Sequence, residues 1–278
     1  MLKRALRYIQ AKMKISLEVF PGKNFEDFQR ISSIAKNLEY LKPRFTSVTF
    51  GATGSSFKNS LELIKTLKCK KIIPHLTFTR LTKKEISEFL NDVSQLGIDT
   101  ILALRGDKVN SDFDSKDFFQ TTPEFIRHLR NEGFKVIVSA YAEKHPNSSS
   151  SQEDIEWLEQ KIDAGASTAI TQFAMNNHHY GNLLNQVEKK NLDVELVAGL
   201  LPIKTVSGLK KMASFCEIEV PIKIYEAFGD KNEEITVSSQ IFKEQYQYVK
   251  KIGYSACHIY TLNDQQILDN IFKGGLND

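Results

Sequence analysis

The chain has 278 residues, of which 41% are hydrophobic and 26% charged, and its formal net charge is +3. This composition is ordinary for a globular protein and supplies enough apolar residues for a large core, in one α/β domain or in two smaller ones. A net charge this small, with the basic residues scattered, argues against a nucleic-acid partner and is compatible with anionic small ligands.

The three cysteines, Cys69, Cys216 and Cys257, are far apart and form no C-x-x-C motif, which is typical of a reduced, intracellular protein. No apolar run approaches the roughly 20 residues that span a bilayer. Residues 1–13 are basic and partly amphipathic, without the apolar core of a signal peptide. We therefore predict a short N-terminal helical extension, with a transit peptide as the alternative, and a cytoplasmic protein without membrane contact.

Short runs rich in β-branched residues recur along the chain. Most are apolar on both faces, as expected for strands that are covered on both sides. The nine candidate strands are Lys14–Phe20, Phe45–Ala52, Lys71–Phe78, Thr100–Arg105, Lys135–Tyr141, Thr168–Phe173, Val194–Leu201, Pro221–Tyr225 and Ser255–Leu262.

Amphipathic stretches of helical period separate these runs. They include Phe25–Tyr40, Ser60–Lys68, Lys83–Leu96, Pro123–Asn131, Gln152–Asp163, Tyr180–Lys190 and Val237–Lys251. A capping-box pattern at Thr82–Glu85 and glycines that follow four of the stretches mark helix ends. Alternation of strands and helices with short loops predicts parallel βαβ units in one domain, residues 1–278.

A single-domain (β/α)8 barrel of the TIM type is the fold that this alternation favours. Pro221–Tyr225 is the weakest strand candidate, since it lies between Glu219 and Glu226 and continues into Ala227 and Phe228 like a helical turn. Assigned to a helix or loop, it leaves the eight strands that a barrel needs. An open doubly wound sheet is the alternative, but the first strand is followed by P-G-K-N-F rather than by a glycine-rich phosphate loop.

Polar side chains gather where the predicted strands end, which is the side of such a barrel that carries active sites. In chain order these ends carry Glu18, Thr49, Phe50, Ala52, His75, Thr77, Arg105, Gly106, Asp107, Tyr141, Glu143, His145, Gln172, Asn176, Asn177, Pro202 and residues 260–263. The N-terminal ends of the same strands carry mostly plain lysine or threonine, so the concentration is specific to one rim.

Glu18 interrupts the apolar run I-S-L-E-V-F. Strand alternation puts Ser16, Glu18 and Phe20 toward the barrel axis and the residues between them beneath the helices. A carboxylic acid buried near the rim suits general-acid catalysis. The alternative is a structural glutamate satisfied by a lysine or a backbone N–H.

Arg105, Gly106 and Asp107 follow a strongly apolar strand. The arginine suits a phosphate group and the glycine permits close backbone approach, although R-G-D after a strand is often only a turn. His75 and His145 are candidates for phosphate or ring contacts, with structural roles as the alternative. We interpret His178-His179 as a surface pair, because it has no partner at metal-ligand spacing, and we expect no metal.

Eight segments in order from residue 15 to residue 263 resemble the methylenetetrahydrofolate reductase family, whose fold is a (β/α)8 barrel that carries FAD. They are I-S-L-E-V-F-P, S-V-T-F-G-A, P-H-L-T, A-L-R-G-D, A-Y-A-E-K-H-P, K-I-D-A-G-A-S-T-A-I-T-Q-F, G-L-L-P-I and I-Y-T-L-N. Each is modest alone, but the ordered set covers nearly the whole chain and is specific. We therefore expect no C-terminal regulatory domain of the kind that some family members carry.

The resemblance implies reduction of 5,10-methylenetetrahydrofolate to 5-methyltetrahydrofolate, in one-carbon metabolism and methionine biosynthesis. Glu18 matches the general acid that assists opening of the five-membered ring, before reduced flavin delivers hydride to the methylene carbon. Asp107 matches an aspartate that tunes the flavin and contacts the pterin. Flavin-binding positions of the family correspond to Thr49, Phe50, Ala52, His75, Arg105, Gly106, Asp107, Tyr141, His145, Asp154 and Lys161.

The resemblance also implies NADH as electron donor, used in turn with folate on one face of the flavin in ping-pong kinetics. Gln172 matches a glutamine that contacts both, and Leu262 and Met212 fall at substrate-binding positions. A homo-oligomer is expected.

Several positions depart from the family pattern, all in the half that would hold NADH and the folate tail. They are Ala174–Asn177 after I-T-Q-F, Gly208 and Met212 in place of a glutamine and a phenylalanine, and Asp264 in place of an arginine. Two rival hypotheses follow. One is a flavoprotein fed by a protein electron donor or acting on another pterin-like substrate, and the other is a noncatalytic folate- or flavin-binding scaffold subunit, against which Glu18 and Asp107 argue.

Overall fold

Eight parallel strands close into a barrel in the computed structural model, which describes residues 12–50, 57–79, 81–106, 117–229 and 233–274. The strands are β1 (Lys14–Val19), β2 (Thr46–Val48), β3 (Ile72–Thr77), β4 (Thr100–Leu104), β5 (Lys135–Tyr141), β6 (Ala166–Gln172), β7 (Glu195–Leu200) and β8 (Ala256–Tyr260). Each strand pairs with the next in sequence, and β8 pairs with β1 from Lys14↔Ala256 to Glu18↔Tyr260. The single-domain (β/α)8 prediction is confirmed, and the open doubly wound sheet is wrong.

Helices follow the strands and cover the outside of the barrel. They are α1 (Phe25–Asn37), α2 (Phe57–Thr66), α3 (Lys83–Gln95), α4 (Thr122–Asn131), α5 (Ser151–Asp163), α6 (His178–Lys189), α7 (Val206–Cys216), α8 (Ile222–Ala227), α9 (Glu234–Ile252) and α10 (Gln265–Lys273). The ninth strand candidate lies mostly in α8, so its assignment to a helix or loop is confirmed. The capping box is formed at Thr82 and Glu85.

Some element bounds differ from those predicted. The β2 strand is only three residues long, because its partners on both sides pair with it only over Thr46–Val48. The β6 strand begins at Ala166, two residues before the predicted start at Thr168. The register between β5 and β6 shifts at this point, between Val136 and Ile137. The α1 helix ends at Asn37 and continues as a 3-10 turn over Leu38–Leu41.

The barrel wall separates two apolar regions. Outside it, Ile15, Leu17 and Val19 pack with residues of the surrounding helices, which confirms the face assigned to them. Inside it, a smaller apolar layer fills the end of the barrel where the strands begin, formed by Phe45, Ile73, Leu102, Ile137, Ile170, Val197 and Ala256. Polar residues occupy the interior above this layer, so strand alternation sets the chemistry of the opposite end.

Residues 1–11, most of the predicted N-terminal extension, lie outside the described residues, and that prediction stays a prediction. Among the helices that the structure describes, none is both long and apolar enough for a membrane crossing.

Candidate active site

Glu18 lies on the inner face near the end of β1, and its side chain retains 18% exposure. Its Oε2 atom lies 3.4 Å from Nε2 of His75 on β3 and 3.7 Å from Nε2 of His258 on β8. The expected inward orientation is therefore correct. Of the two structural partners considered from sequence, a lysine and a backbone N–H, neither takes this place; two histidines do.

His258 is fully buried beneath Glu18 and joined to two serine hydroxyls. Its Nδ1 lies 2.8 Å from Oγ of Ser16, and its Nε2 lies 3.3 Å from Oγ of Ser47. Sequence reasoning did not single out His258. The signal was available, because alternation along β8 puts His258 and Tyr260 on the same inward face.

His75 is buried against Glu18 without a hydrogen bond at Nε2 from any described residue. Burial lowers the pKa of His75 to about 4, a shift that the Glu18 carboxylate opposes and His258 reinforces. His75 is therefore neutral at pH 7 and offers Glu18 no counter-charge.

A cluster of basic side chains lies beside the ends of β4 and β5. Burial lowers the pKa of Lys161 to about 8, with Asp154 opposing the shift and Arg105 adding to it. Burial also lowers the pKa of His145, with Asp154 again opposing the shift and Arg105 and Lys161 among the groups that add to it. Because these groups repel one another, an anionic ligand is the natural complement of the cluster.

Asp154 organises this cluster. Its carboxylate accepts hydrogen bonds from the His145 backbone N–H at 2.9 Å and from the Ser148 hydroxyl at 2.6 Å. Lys161 donates to the Ser139 carbonyl oxygen at 2.8 Å, and the His145 ring packs edge-on against Tyr141 with centroids 4.4 Å apart. Asp154 thus holds the loop that carries His145.

Thr49 and Gly106 complete the same side of the mouth. The Thr49 hydroxyl is buried and has no hydrogen-bond partner among the described residues. Gly106 has a left-handed φ of 84°, and a Cβ atom there would lie 2.7 Å from Oγ1 of Thr79 and 3.0 Å from Cβ of Thr77. Only glycine permits this close approach between the ends of β3 and β4.

Phe50 and Gln172 are engaged in other contacts. The Phe50 ring packs into the outer core, 6.4 Å from the Phe89 ring of α3. Gln172 is half-buried at the end of β6, where its Oε1 accepts from the Phe173 backbone N–H at 3.0 Å.

An apolar wall stands on the other side of the mouth. Met212, Cys216 and Tyr260 are partly buried against a cluster formed by Phe173, Met175, Leu201, Ile203, Leu209 and Phe228. Burial raises the pKa of the Cys216 thiol to about 11, and the Glu18 carboxylate adds to this shift. The end of α7 therefore lies within electrostatic reach of Glu18.

The residues after β8 complete the rim. Leu262 is 38% exposed and has a left-handed φ of 50°. Asp264 caps α10 through the backbone N–H groups of Gln266 and Ile267, and it pairs with Lys204 at 3.3 Å. The aspartate that departs from the family pattern is thus a helix cap with a lysine partner.

One surface assignment is wrong in part. His178 is exposed as expected, but Nε2 of His179 is buried, as is Oε1 of Glu143, and neither has a hydrogen-bond partner among the described residues. Glu143 folds onto this region because its other oxygen accepts from the Glu219 backbone N–H at 3.0 Å. Asp107 and Ala52 lie outside the described residues, so their predicted roles stay predictions.

Comparison with known proteins gives one consistent family. The model of the family described as methylenetetrahydrofolate reductase matches residues 2–274. A protein of Buchnera aphidicola subsp. Schizaphis graminum named 5,10-methylenetetrahydrofolate reductase is 31% identical over 97% of this chain and 94% of its own. The protein of the same name from Escherichia coli K12 is 29% identical over 94% of this chain and 90% of its own.

A solved structure shares the fold. It is an uncharacterized protein from Clostridium thermocellum, described as binding two copies of 5-methyl-5,6,7,8-tetrahydrofolic acid, with a TM-score of 0.64 and 16% identity over 93% of this chain and 91% of that one. The match over nearly the whole chain and the 31% identity to a full-length relative decide the family. This chain belongs to the methylenetetrahydrofolate reductase family and is therefore an oxidoreductase.

Proposed function

We propose that the protein reduces 5,10-methylenetetrahydrofolate to 5-methyltetrahydrofolate with bound FAD, and that Glu18 is the general acid. One observation carries the proposal: a carboxyl group in the barrel mouth, packed on two histidines, lies between a basic cluster and an apolar wall. A dinucleotide cofactor and a partly apolar substrate need these two kinds of surface together.

The residues present fit FAD. Arg105, His145 and Lys161 would hold the diphosphate, and the unsatisfied Thr49 hydroxyl offers a hydrogen bond to a polar cofactor atom. A diphosphate beside Lys161 would also favour its charged form against the effect of burial. When bound and reduced by the electron donor, the flavin would supply the hydride that reduces the methylene carbon. Asp107 remains, by family resemblance, the residue proposed to tune the flavin.

Glu18 would protonate the amine nitrogen that leaves when the five-membered ring of the substrate opens. This role needs a carboxyl group that holds its proton and then releases it within hydrogen-bond reach of the substrate. The neutral His75 withholds a positive charge that would otherwise stabilise the carboxylate. The apolar wall around Tyr260 and Met212 lies on the same side, where it would exclude water from the reacting atoms.

A network of polar contacts lies beneath Glu18 and holds its neighbour His258. The Ser16 hydroxyl lies 3.3 Å from the Cys257 carbonyl oxygen and 2.8 Å from Nδ1 of His258. Nε2 of His258 faces both the Ser47 hydroxyl and the Glu18 carboxyl group. These contacts hold the His258 ring in one orientation beneath the proposed general acid.

NADH is the proposed electron donor, with Gln172, Leu262 and Met212 in the site that it shares with folate. The rival, a protein electron donor, rests on the sequence departures in this half, including Met212 in place of an aromatic platform. We place the protein in the cytoplasm and expect a homo-oligomer.

The test uses the purified protein loaded with FAD under anaerobic conditions. We expect NADH to bleach the flavin absorbance and 5,10-methylenetetrahydrofolate to restore it, with one 5-methyltetrahydrofolate formed per flavin. Bleaching by dithionite but not by NADH, followed by reoxidation with the folate, favours a protein donor. If the folate does not reoxidise reduced flavin, the proposed function is wrong.

A further inference from the structure

Two consecutive residues after β8, Leu262 and Asn263, have left-handed backbone conformations, with φ of 50° and 53°. Asparagine tolerates this region, but leucine rarely adopts it because its Cβ atom crowds the backbone. Such a conformation persists only where the surrounding structure imposes it.

The usual explanation does not apply at this position. The other left-handed residues with a side chain in the described chain, Lys42, Asn191 and Glu217, follow a helix or a 3-10 turn, where this conformation ends the helical hydrogen bonds. Leu262 and Asn263 follow a strand, so the reason has to be sought in what they contact.

Asn263 binds the chain just beyond β1. Its Oδ1 accepts from the Phe20 backbone N–H at 3.2 Å, and its Nδ2 donates to the Phe20 carbonyl oxygen at 2.9 Å. The Asn263 side chain is buried, with 8% exposure for the residue. Its amide therefore pairs with Phe20 as a peptide group of a neighbouring strand would.

A second connection leads directly to Glu18. The backbone N–H of Asn263 donates to the Thr261 hydroxyl at 3.0 Å, and that hydroxyl donates to the Glu18 carbonyl oxygen at 2.6 Å. The β1–β8 ladder ends at Glu18↔Tyr260. The contacts of Thr261 and Asn263 thus continue the attachment of the chain where the ladder stops.

We propose that Asn263 is a positioning residue of the active site, which ties the end of β1 to the end of β8 and so fixes the Glu18 carboxyl group at the barrel mouth. The proposal rests on the proposed function. The contact with Phe20 needs a side chain that both donates and accepts a hydrogen bond. Aspartate can accept from the Phe20 N–H but cannot donate to the Phe20 carbonyl oxygen, and glycine can do neither.

The test compares Asn263→Gly with Asn191→Gly in the FAD-loaded protein. Glycine accepts the left-handed backbone at both positions, so the first variant loses the two side-chain bonds without added strain and the second is the matched control. We expect Asn263→Gly to remain folded and to reoxidise with 5,10-methylenetetrahydrofolate at least tenfold more slowly, with a shifted pH profile. Flavin reduction by its electron donor should stay within twofold, and Asn191→Gly should match the wild type throughout.

Two further variants separate positioning from general loosening. Asn263→Asp keeps the acceptor for the Phe20 N–H but puts a carboxylate oxygen where Nδ2 donates to the Phe20 carbonyl oxygen, so we expect it to recover none of the lost rate. In a Glu18→Gln background, Asn263→Gly should add little further loss, because two residues that act as a unit are not additive.

Each result has one meaning. Equal losses in Asn263→Gly and Asn191→Gly, an unchanged pH profile, or full additivity with Glu18→Gln would overturn the positioning role and leave the proposed function intact. A wild-type protein that fails to reduce the folate would overturn the proposed function and, with it, the role of Asn263.

Discussion

The two ends of the barrel differ in whether their polar side chains have partners. At the end where the strands begin, charges are paired: Arg44 makes two hydrogen bonds to Glu195, at 2.8 and 3.1 Å, and Asp99 lies 2.7 Å from Lys135. The hydrogen bond from Lys135, followed by that from Thr100, lowers the pKa of Asp99 to about 2. At the end where the strands finish, the Thr49 hydroxyl and Nε2 of His75 are buried without a hydrogen-bond partner from the described residues.

This difference indicates that one end of the barrel contributes stability and the other carries the reacting groups. Buried polar atoms without partners are costly, so a fold keeps them where a ligand supplies the missing bonds or where chemistry needs them. The closed end has surface charges in ordinary pairs, as expected for the stabilising face of a (β/α)8 barrel. Substitutions at the open end should therefore change reaction steps, and those at the closed end should change only stability.

The largest effect is expected at Glu18. Glu18→Gln keeps the shape of the side chain and removes its acid, so reduction of the folate should fall by about 10²–10⁴-fold. Stopped-flow absorbance of the flavin should find its reduction by NADH nearly unchanged. Glu195→Gln, a carboxylate at the closed end, is the control that should retain both half-reactions. Similar losses in the two half-reactions of Glu18→Gln would disprove the general-acid role.

A second effect concerns stability and pH at His75. Its pKa is about 4 in the folded protein and 6.5 for an unperturbed histidine, so between these values the unfolded chain binds more protons. The free energy of unfolding has its full value above about pH 6.5. It falls as the pH drops toward 4, by about 3 kcal/mol in total, because only the unfolded chain is protonated at this histidine over that range. Urea titrations of wild type and His75→Gln over this range should give a shallower slope for the variant. Identical slopes would contradict the assignment.

The basic cluster should govern cofactor affinity. Lys161→Met removes a charge-assisted contact to the proposed diphosphate, which is worth about 1.5–3 kcal/mol and so weakens FAD binding by about 10–150-fold. Fluorescence titration of the apoprotein with FAD measures this. Lys135→Met, a lysine of the closed end, should bind FAD like the wild type. Unchanged affinity in Lys161→Met would place the diphosphate elsewhere.

The periodicity and the order of the motifs predicted the barrel and the position of Glu18. The contacts that were not predicted join residues far apart in the sequence. Eight apolar runs predicted the eight strands of the barrel, and the alternation of side chains along the first strand predicted that Glu18 faces the interior. Alternation along β8 puts His258 inside the barrel, but its contact with Glu18, 240 residues earlier, depends on the register with which β8 pairs with β1. The buried Nε2 of His179 was missed because polar residues that open a helix are usually exposed, and no local pattern shows that this atom is covered.

The smallest effect is expected for the ion pair between Arg44 and Glu195, at the end of the barrel where the strands begin. Arg44 and Glu195 retain 33% and 27% exposure, so solvent screens their attraction. A double-mutant cycle with Arg44→Ala and Glu195→Ala should give a coupling energy of about 0.5–1 kcal/mol in the free energy of unfolding, measured by urea titration. Both half-reactions should remain at wild-type rates in all three variants, because no ligand is expected at this end. A loss of folate reduction in Arg44→Ala that exceeds its loss of folded protein would show that the two ends are coupled, and the division between a stabilising and a reacting end would then fail.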